Sequence, residues 1–212
     1  GSGTNAIELA YSPSFADFDG DGQTEIYIAN QIFNAITGDI LAQTANPFND
    51  PKGAILPKGL SYGESSHAFP AAWDILPDDF CADCSGTELI CGNTVYSVNI
   101  TTGTLTAVSV APDISKQKDG KVSLADWDGD GQMDIVVSTK CCGYQGAIYI
   151  WDPRKKELIT QDAAGNALVG NPVDGQTSGT GQIGNPSIAD FDGDGAPDIA
   201  IGSSAATIHI FE

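Results

Sequence analysis

Lys121-Val122-Ser123-Leu124-Ala125-Asp126-Trp127-Asp128-Gly129-Asp130-Gly131-Gln132-Met133-Asp134-Ile135 is the stretch on which the reading turns. Pro13 to Ile26 (PSFADFDGDGQTEI) and Pro186 to Ile199 (PSIADFDGDGAPDI) match it without gaps. All three carry D-x-D-G-D-G-x-x-[DE] between two short apolar runs. Twelve of the 28 acidic residues stand in these three loops. A merely solubilising surface would spread its acids; carboxylates packed this densely repel one another unless a cation sits among them. Glycines at positions 4 and 6 allow the tight curl that such a loop needs.

The flanks read as strands. Ile26-Tyr27-Ile28, Ile135-Val136-Val137 and Ile199-Ala200-Ile201 follow the loops. A further strand comes after each, at Gln31-Ile32-Phe33, at Ala147 to Trp151 and at Thr207 to Phe211. A fourth copy is less plain. Phe69 to Asp74 matches the first strand, with Trp73 in the slot of Phe18, Trp127 and Phe191 and therefore expected in the core. Thr87 to Tyr96 mirrors Thr24 to Phe33. The four anchors lie 55, 54 and 64 residues apart. In this copy Ala72 takes loop position 1 and Ile75-Leu76-Pro77 replaces the aspartate-glycine run, so its metal site is expected to be empty.

Units of this length made of short strands predict an all-β chain, a β-propeller of four-stranded antiparallel blades. Residues 1–212 form one domain, with blades at about 11–47, 67–111, 119–161 and 183–212. Leu41 to Thr44 and Leu105 to Val110 are outer strands, whereas the last copy has no outer strand after Phe211. The stretch 5–10 is a spare strand that can complete the last blade. The four blades form either a small closed ring or part of a larger propeller. The long connections 45–67 and 161–184 are either ligand-contacting or plain irregular loops.

Side chains at loop positions 1, 3, 5 and 9 and the carbonyl at 7 supply oxygen ligands. The first set is Asp17, Asp19, Asp21, Gln23 and Glu25; the second is Asp126, Asp128, Asp130, Gln132 and Asp134; the third is Asp190, Asp192, Asp194, Ala196 and Asp198. Hard oxygens in a flexible ring suit Ca²⁺, whereas Mg²⁺ demands smaller octahedral geometry and keeps its waters. Three calcium ions are expected. An EF-hand has a bidentate Glu at position 12, where this chain has Ile28, Val137 and Ile201.

With their acidic loops set between strands, these segments resemble the FG-GAP repeats of integrin α-subunit propellers and their bacterial relatives. The resemblance spans essentially the whole chain and implies calcium loops on one face of a propeller. The Phe-Gly and Gly-Ala-Pro signatures survive only as Gly184-Asn185-Pro186 and Ala196-Pro197.

Composition sets the remaining limits. Nine Lys and Arg against 28 Asp and Glu give a formal charge of −19, which repels nucleic acid and anionic membrane. No apolar run is long enough for membrane insertion. The opening Gly1-Ser2-Gly3 carries no secretion signal, so a secreted or cell-surface location rests on the calcium loops and the cysteines. Cys81 and Cys84, then Cys141 and Cys142, are disulfide candidates, with reduced thiols the alternative. A zinc site would need two more ligands, and His67 is the one histidine near Cys81 and Cys84. Cys91 aligns with Ile28, Val137 and Ile201 and belongs in the core, and His209 on its strand is a packing residue.

The expected function is a non-catalytic, calcium-binding adhesion or recognition module with a protein or glycan ligand at the cell surface. Self-association through edge strands is also open to it. Two other readings stand beside this one. The first is the propeller domain of a calcium-dependent polysaccharide lyase, which the shortage of basic residues disfavours. The second is a structural segment of a surface fibre or giant surface protein.

Overall fold

The computed structural model describes residues 13–45, 69–112, 120–139, 146–166, 173–175, 184–202 and 208–211. Every regular element among them is a β-strand, and no helix long and apolar enough to cross a membrane is present among them. The stretch 5–10 lies outside the described residues.

The strands fall into four antiparallel meanders in chain order. The first is β1 (Ser14–Ala16), β2 (Glu25–Ile28), β3 (Gln31–Phe33) and β4 (Ile40–Gln43). The second is β5 (Ala71–Trp73), β6 (Glu88–Cys91), β7 (Thr94–Asn99) and β8 (Thr104–Val110). The third is β9 (Gly120–Ala125), β10 (Asp134–Thr139), β11 (Gly146–Asp152) and β12 (Glu157–Leu158). In the third unit β13 (Val173–Gly175) also pairs with the start of β11. The fourth unit has β14 (Ser187–Ala189), β15 (Asp198–Gly202) and β16 (Ile208–Phe211).

The first two meanders are joined into one eight-stranded sheet by a single parallel pair, Gln43 with Thr104, between their outer strands. Gly103 permits this approach. Its φ is +72°, and a Cβ there would come within 3.3 Å of the Leu41 carbonyl.

The units stack face on face, and period-two alternation of the strands decides which face each side chain joins. Phe18, Tyr27 and Ile32 of the first unit pack with Leu89, Cys91 and Tyr96 of the second. The opposite face of the second, with Ile75, Ile90 and Val95, packs with Ile135, Val137, Tyr149 and Trp151 of the third. The far face of the third, with Trp127, Val136, Ile148 and Ile150, meets Ile199 and Ile201 of the fourth. Consecutive residues such as Leu89 and Ile90 therefore serve different interfaces, which is why both are fully buried.

Strand register corrects one assignment. Trp73 pairs with Glu88 just as Ala16 pairs with Glu25, Ala125 with Asp134 and Ala189 with Asp198. Trp73 is therefore equivalent to those alanines, two positions short of the aromatic slot, and is 50% exposed instead of buried. Ile75, 4% exposed, fills the slot that Phe18 and Trp127 fill elsewhere. By the same register Asp74, not Ala72, stands at loop position 1 of the second unit.

Register also aligns an aromatic column that the sequence reading missed. Phe33, Tyr96, Trp151 and Phe211 pair with Ile26, Leu89, Ile135 and Ile199 respectively. His209, opposite Ile201, matches Tyr149 opposite Val137 and stacks on Phe211 with ring centroids 6.4 Å apart.

Candidate metal centre

The turn between the first two strands of units one, three and four is built around the position 1 aspartate, which draws the following amides inward. Asp17 accepts from the Gly20 and Gly22 N–H groups at 2.7 and 2.9 Å. Asp126 accepts from Gly131 at 2.9 Å, and Asp190 from Gly193 and Gly195 at 2.6 and 2.9 Å. The curl requires positive φ at both glycines of each loop, at 74° and 85°, 73° and 84°, and 84° and 96°. A side chain there would be strained. Position 5 accepts from position 7: Gln23 N–H donates to Asp21, Gln132 to Asp130 and Ala196 to Asp194.

Position 9 opens the next strand and reaches back. Glu25, Asp134 and Asp198 accept from the amides of Phe18, Trp127 and Phe191 at 2.9, 3.0 and 2.8 Å. All three carboxylates are buried. Burial pushes the Glu25 carboxyl above its ordinary range and that of Asp134 up to about 7, against the lowering effect of the amide each accepts from. Neighbouring aspartates push in the same direction as burial.

Among the described residues, three acidic groups could hold a metal ion. Ligand oxygens of Asp17, Asp19 and Glu25 lie within 4.8 Å of one another, as do those of Asp126, Asp128 and Asp134, and those of Asp190, Asp192 and Asp194. Positions 1 and 3 thus converge in every loop, joined by position 9 in two and position 5 in the third. Asp21, Asp130 and Asp198 stand outside these trios. The donor set fits a cation: all-oxygen, anionic and curled. Asp126 Oδ1 is buried with no hydrogen-bond partner, while its Oδ2 takes the Gly131 amide.

The second loop has a feature the sequence reading passed over. Lys155 Nζ lies 3.7 Å from Asp128, 3.4 Å from Asp130 and 3.0 Å from Asp152. Arg154 contacts Asp134 at 3.3 Å and Asp152 at 3.0 Å, and donates to the Met133 carbonyl at 3.1 Å. Burial pushes the Asp152 carboxyl up, but the Lys155 and Arg154 hydrogen bonds and charge outweigh it and leave it below its ordinary range. The signal was available, because Arg154-Lys155-Lys156 holds three of the chain's nine basic residues.

The second unit keeps position 9 as Glu88, which accepts from Ile75 and Leu76 N–H at 3.0 and 3.2 Å. Burial pushes its carboxyl up to about 7. Asp74 keeps position 1, but Leu76 stands where the other loops have their second aspartate, and no acidic trio forms here among the described residues. The longer loop is closed by the Cys81–Cys84 disulfide. Cys91 is a buried thiol that donates to the Ala29 carbonyl. Cys141 and Cys142 lie outside the described residues.

No known protein-family model matches the chain, and no curated protein matches it either.

Proposed function

We propose that this chain is a calcium-binding, non-catalytic adhesion or recognition module of the secreted or cell-surface kind, its four units being propeller blades of the FG-GAP type. The observation that carries the reading is the threefold recurrence of one acidic curl with converging carboxylates. Hard anionic oxygens at that spacing select calcium over softer-ligand metals, and the glycine-jointed loop is too yielding to impose the tight octahedron of magnesium. The proposed ligands are the side chains at positions 1, 3, 5 and 9 and the carbonyls of Gln23, Gln132 and Ala196. Stacked antiparallel meanders, each burying a face against the next, agree with blades. The Cys81–Cys84 disulfide agrees with an oxidising compartment. A net charge of −19 favours a protein or neutral glycan partner over a polyanionic one.

Calorimetric titration tests the metal and a binding screen tests the role. Three ions are expected, with Asp128→Ala removing one. At calcium ten times Kd each ion adds about 1.4 kcal/mol to the folded state, so EDTA should lower Tm markedly. Screening against glycans and surface proteins, with and without calcium, should give calcium-dependent binding and no bond cleavage. No ion bound, or cleavage of a polysaccharide, would overturn the reading.

A further inference from the structure

Each internal interface joins a trailing face, built by the aromatic slot and one set of alternating residues, to the leading face of the next unit. On trailing faces the equivalent positions are Phe18, Ile75, Trp127 and Phe191, then Ile32, Val95, Ile150 and Ile210. The first three members of each series are buried by the following unit. No unit among the described residues covers the fourth members: Phe191 and Ile210 are 48% and 58% exposed, with Ile208 beside them 77% exposed. On leading faces the series runs Phe15, Ala72, Leu124 and Ile188, paired with Ile26, Leu89, Ile135 and Ile199. Ala72, Leu124 and Ile188 pack against the preceding unit, whereas Phe15, at the start of the series, is 62% exposed. Four of the seven exposed large hydrophobics among the described residues therefore lie on the two end faces.

We propose that a second copy of this chain covers them, the trailing face of unit four in one molecule seating on the leading face of unit one in the next. Among the described residues these two faces are the uncovered halves of an interface that the chain makes three times, at the same strand positions. None of the end-face positions named carries a charge, so the contact forces no like charges together there, and the repulsion between two chains of −19 is screened at physiological salt. Because the contact is head-to-tail, it either closes into a ring or extends. It rests on the stacking alone and is independent of the calcium and adhesion readings.

Sedimentation of the full chain across a wide concentration range tests this, beside Phe15→Asp and Ile210→Asp. The wild type should pass from the one-chain mass of 21.9 kDa to two chains or more. Each variant alone should stay at one chain, since every pairing contains one spoiled face. An equimolar mixture should recover a dimer, because each variant supplies the face the other lacks. A wild type that stays at one chain at every concentration overturns the proposal without reference to any variant. Association that survives both substitutions, or a mixture that does not pair, overturns it equally. Ile208→Asp replaces Ile210→Asp if the latter does not fold.

Discussion

Lys155→Met should tighten cation binding at the second acidic loop and leave the other two unchanged. The ammonium sits 3.7 and 3.4 Å from the carboxylates of Asp128 and Asp130, and Asp152, buried and 3.0 Å away, keeps it from swinging clear. A calcium ion bonded to those carboxylates at about 2.4 Å would stand on the order of 5 Å from the amine. At the dielectric of water, fitting for this exposed lysine, a double and a single positive charge at that distance repel by about 1.7 kcal/mol. That is on the order of tenfold in Kd at low ionic strength, falling to a few-fold at physiological salt. Methionine keeps the stem and removes the charge. Trp127 is position 2 of this loop, whereas Phe18 and Phe191 hold that place in the others. Terbium luminescence excited through tryptophan therefore reports the second loop selectively, and calcium displaces the probe. An affinity that is unchanged or weaker in the variant, or a gain that ignores salt, would refute the argument.

Glu88→Gln should alter the pH dependence of stability. The folded pKa of about 7 exceeds the ordinary 4.5, so the folded state holds a proton the unfolded one releases. Stability from this group is greatest at low pH and is lost as pH rises from about 4.5 to about 7; the amide, still able to accept from Ile75 and Leu76, should flatten that slope in urea melts. Trp73→Ala should cost less than about 1 kcal/mol and Trp151→Ala about 3–5 kcal/mol, since only the second side chain is buried. Equal costs in denaturation curves would mean that the register of the second unit is wrong. Reducing Cys81–Cys84 should lower stability by about 2 kcal/mol, the loop-entropy value for so short a ring. An unchanged urea midpoint with dithiothreitol would remove that bond from the account.

The acidic curls were legible because their chemistry is local: glycines, aspartates and their amides all lie within one turn. The strands beside them were legible for the same reason, as short apolar runs with turn residues between. What failed in the second unit was a match of aromatic to aromatic. Register is set by pairing across the sheet, so Ala16, Ala125 and Ala189 were the better guide, and Trp73 stands with them. The β4–β8 bridge and the pairing of β13 with β11 join segments far apart in sequence, and Val173-Asp174-Gly175 is too short to show a period. Lys155 was missed because the loop carboxylates it meets, Asp128 and Asp130, lie two strands back along the chain in the same unit.

Because neighbouring residues on one strand report to different interfaces, the stack behaves as a linear array whose members feel only their nearest neighbours. Among the described residues, units two and three are clasped on both sides and units one and four on one. Opening should therefore begin at the outer units, and first at the fourth, which has three strands and a single clasp among the described residues. Amide exchange should be slowest where Ile90 and Val95 meet Ile135 and Trp151. A whole unit could be added or lost at either end without disturbing the side-chain order of those that remain.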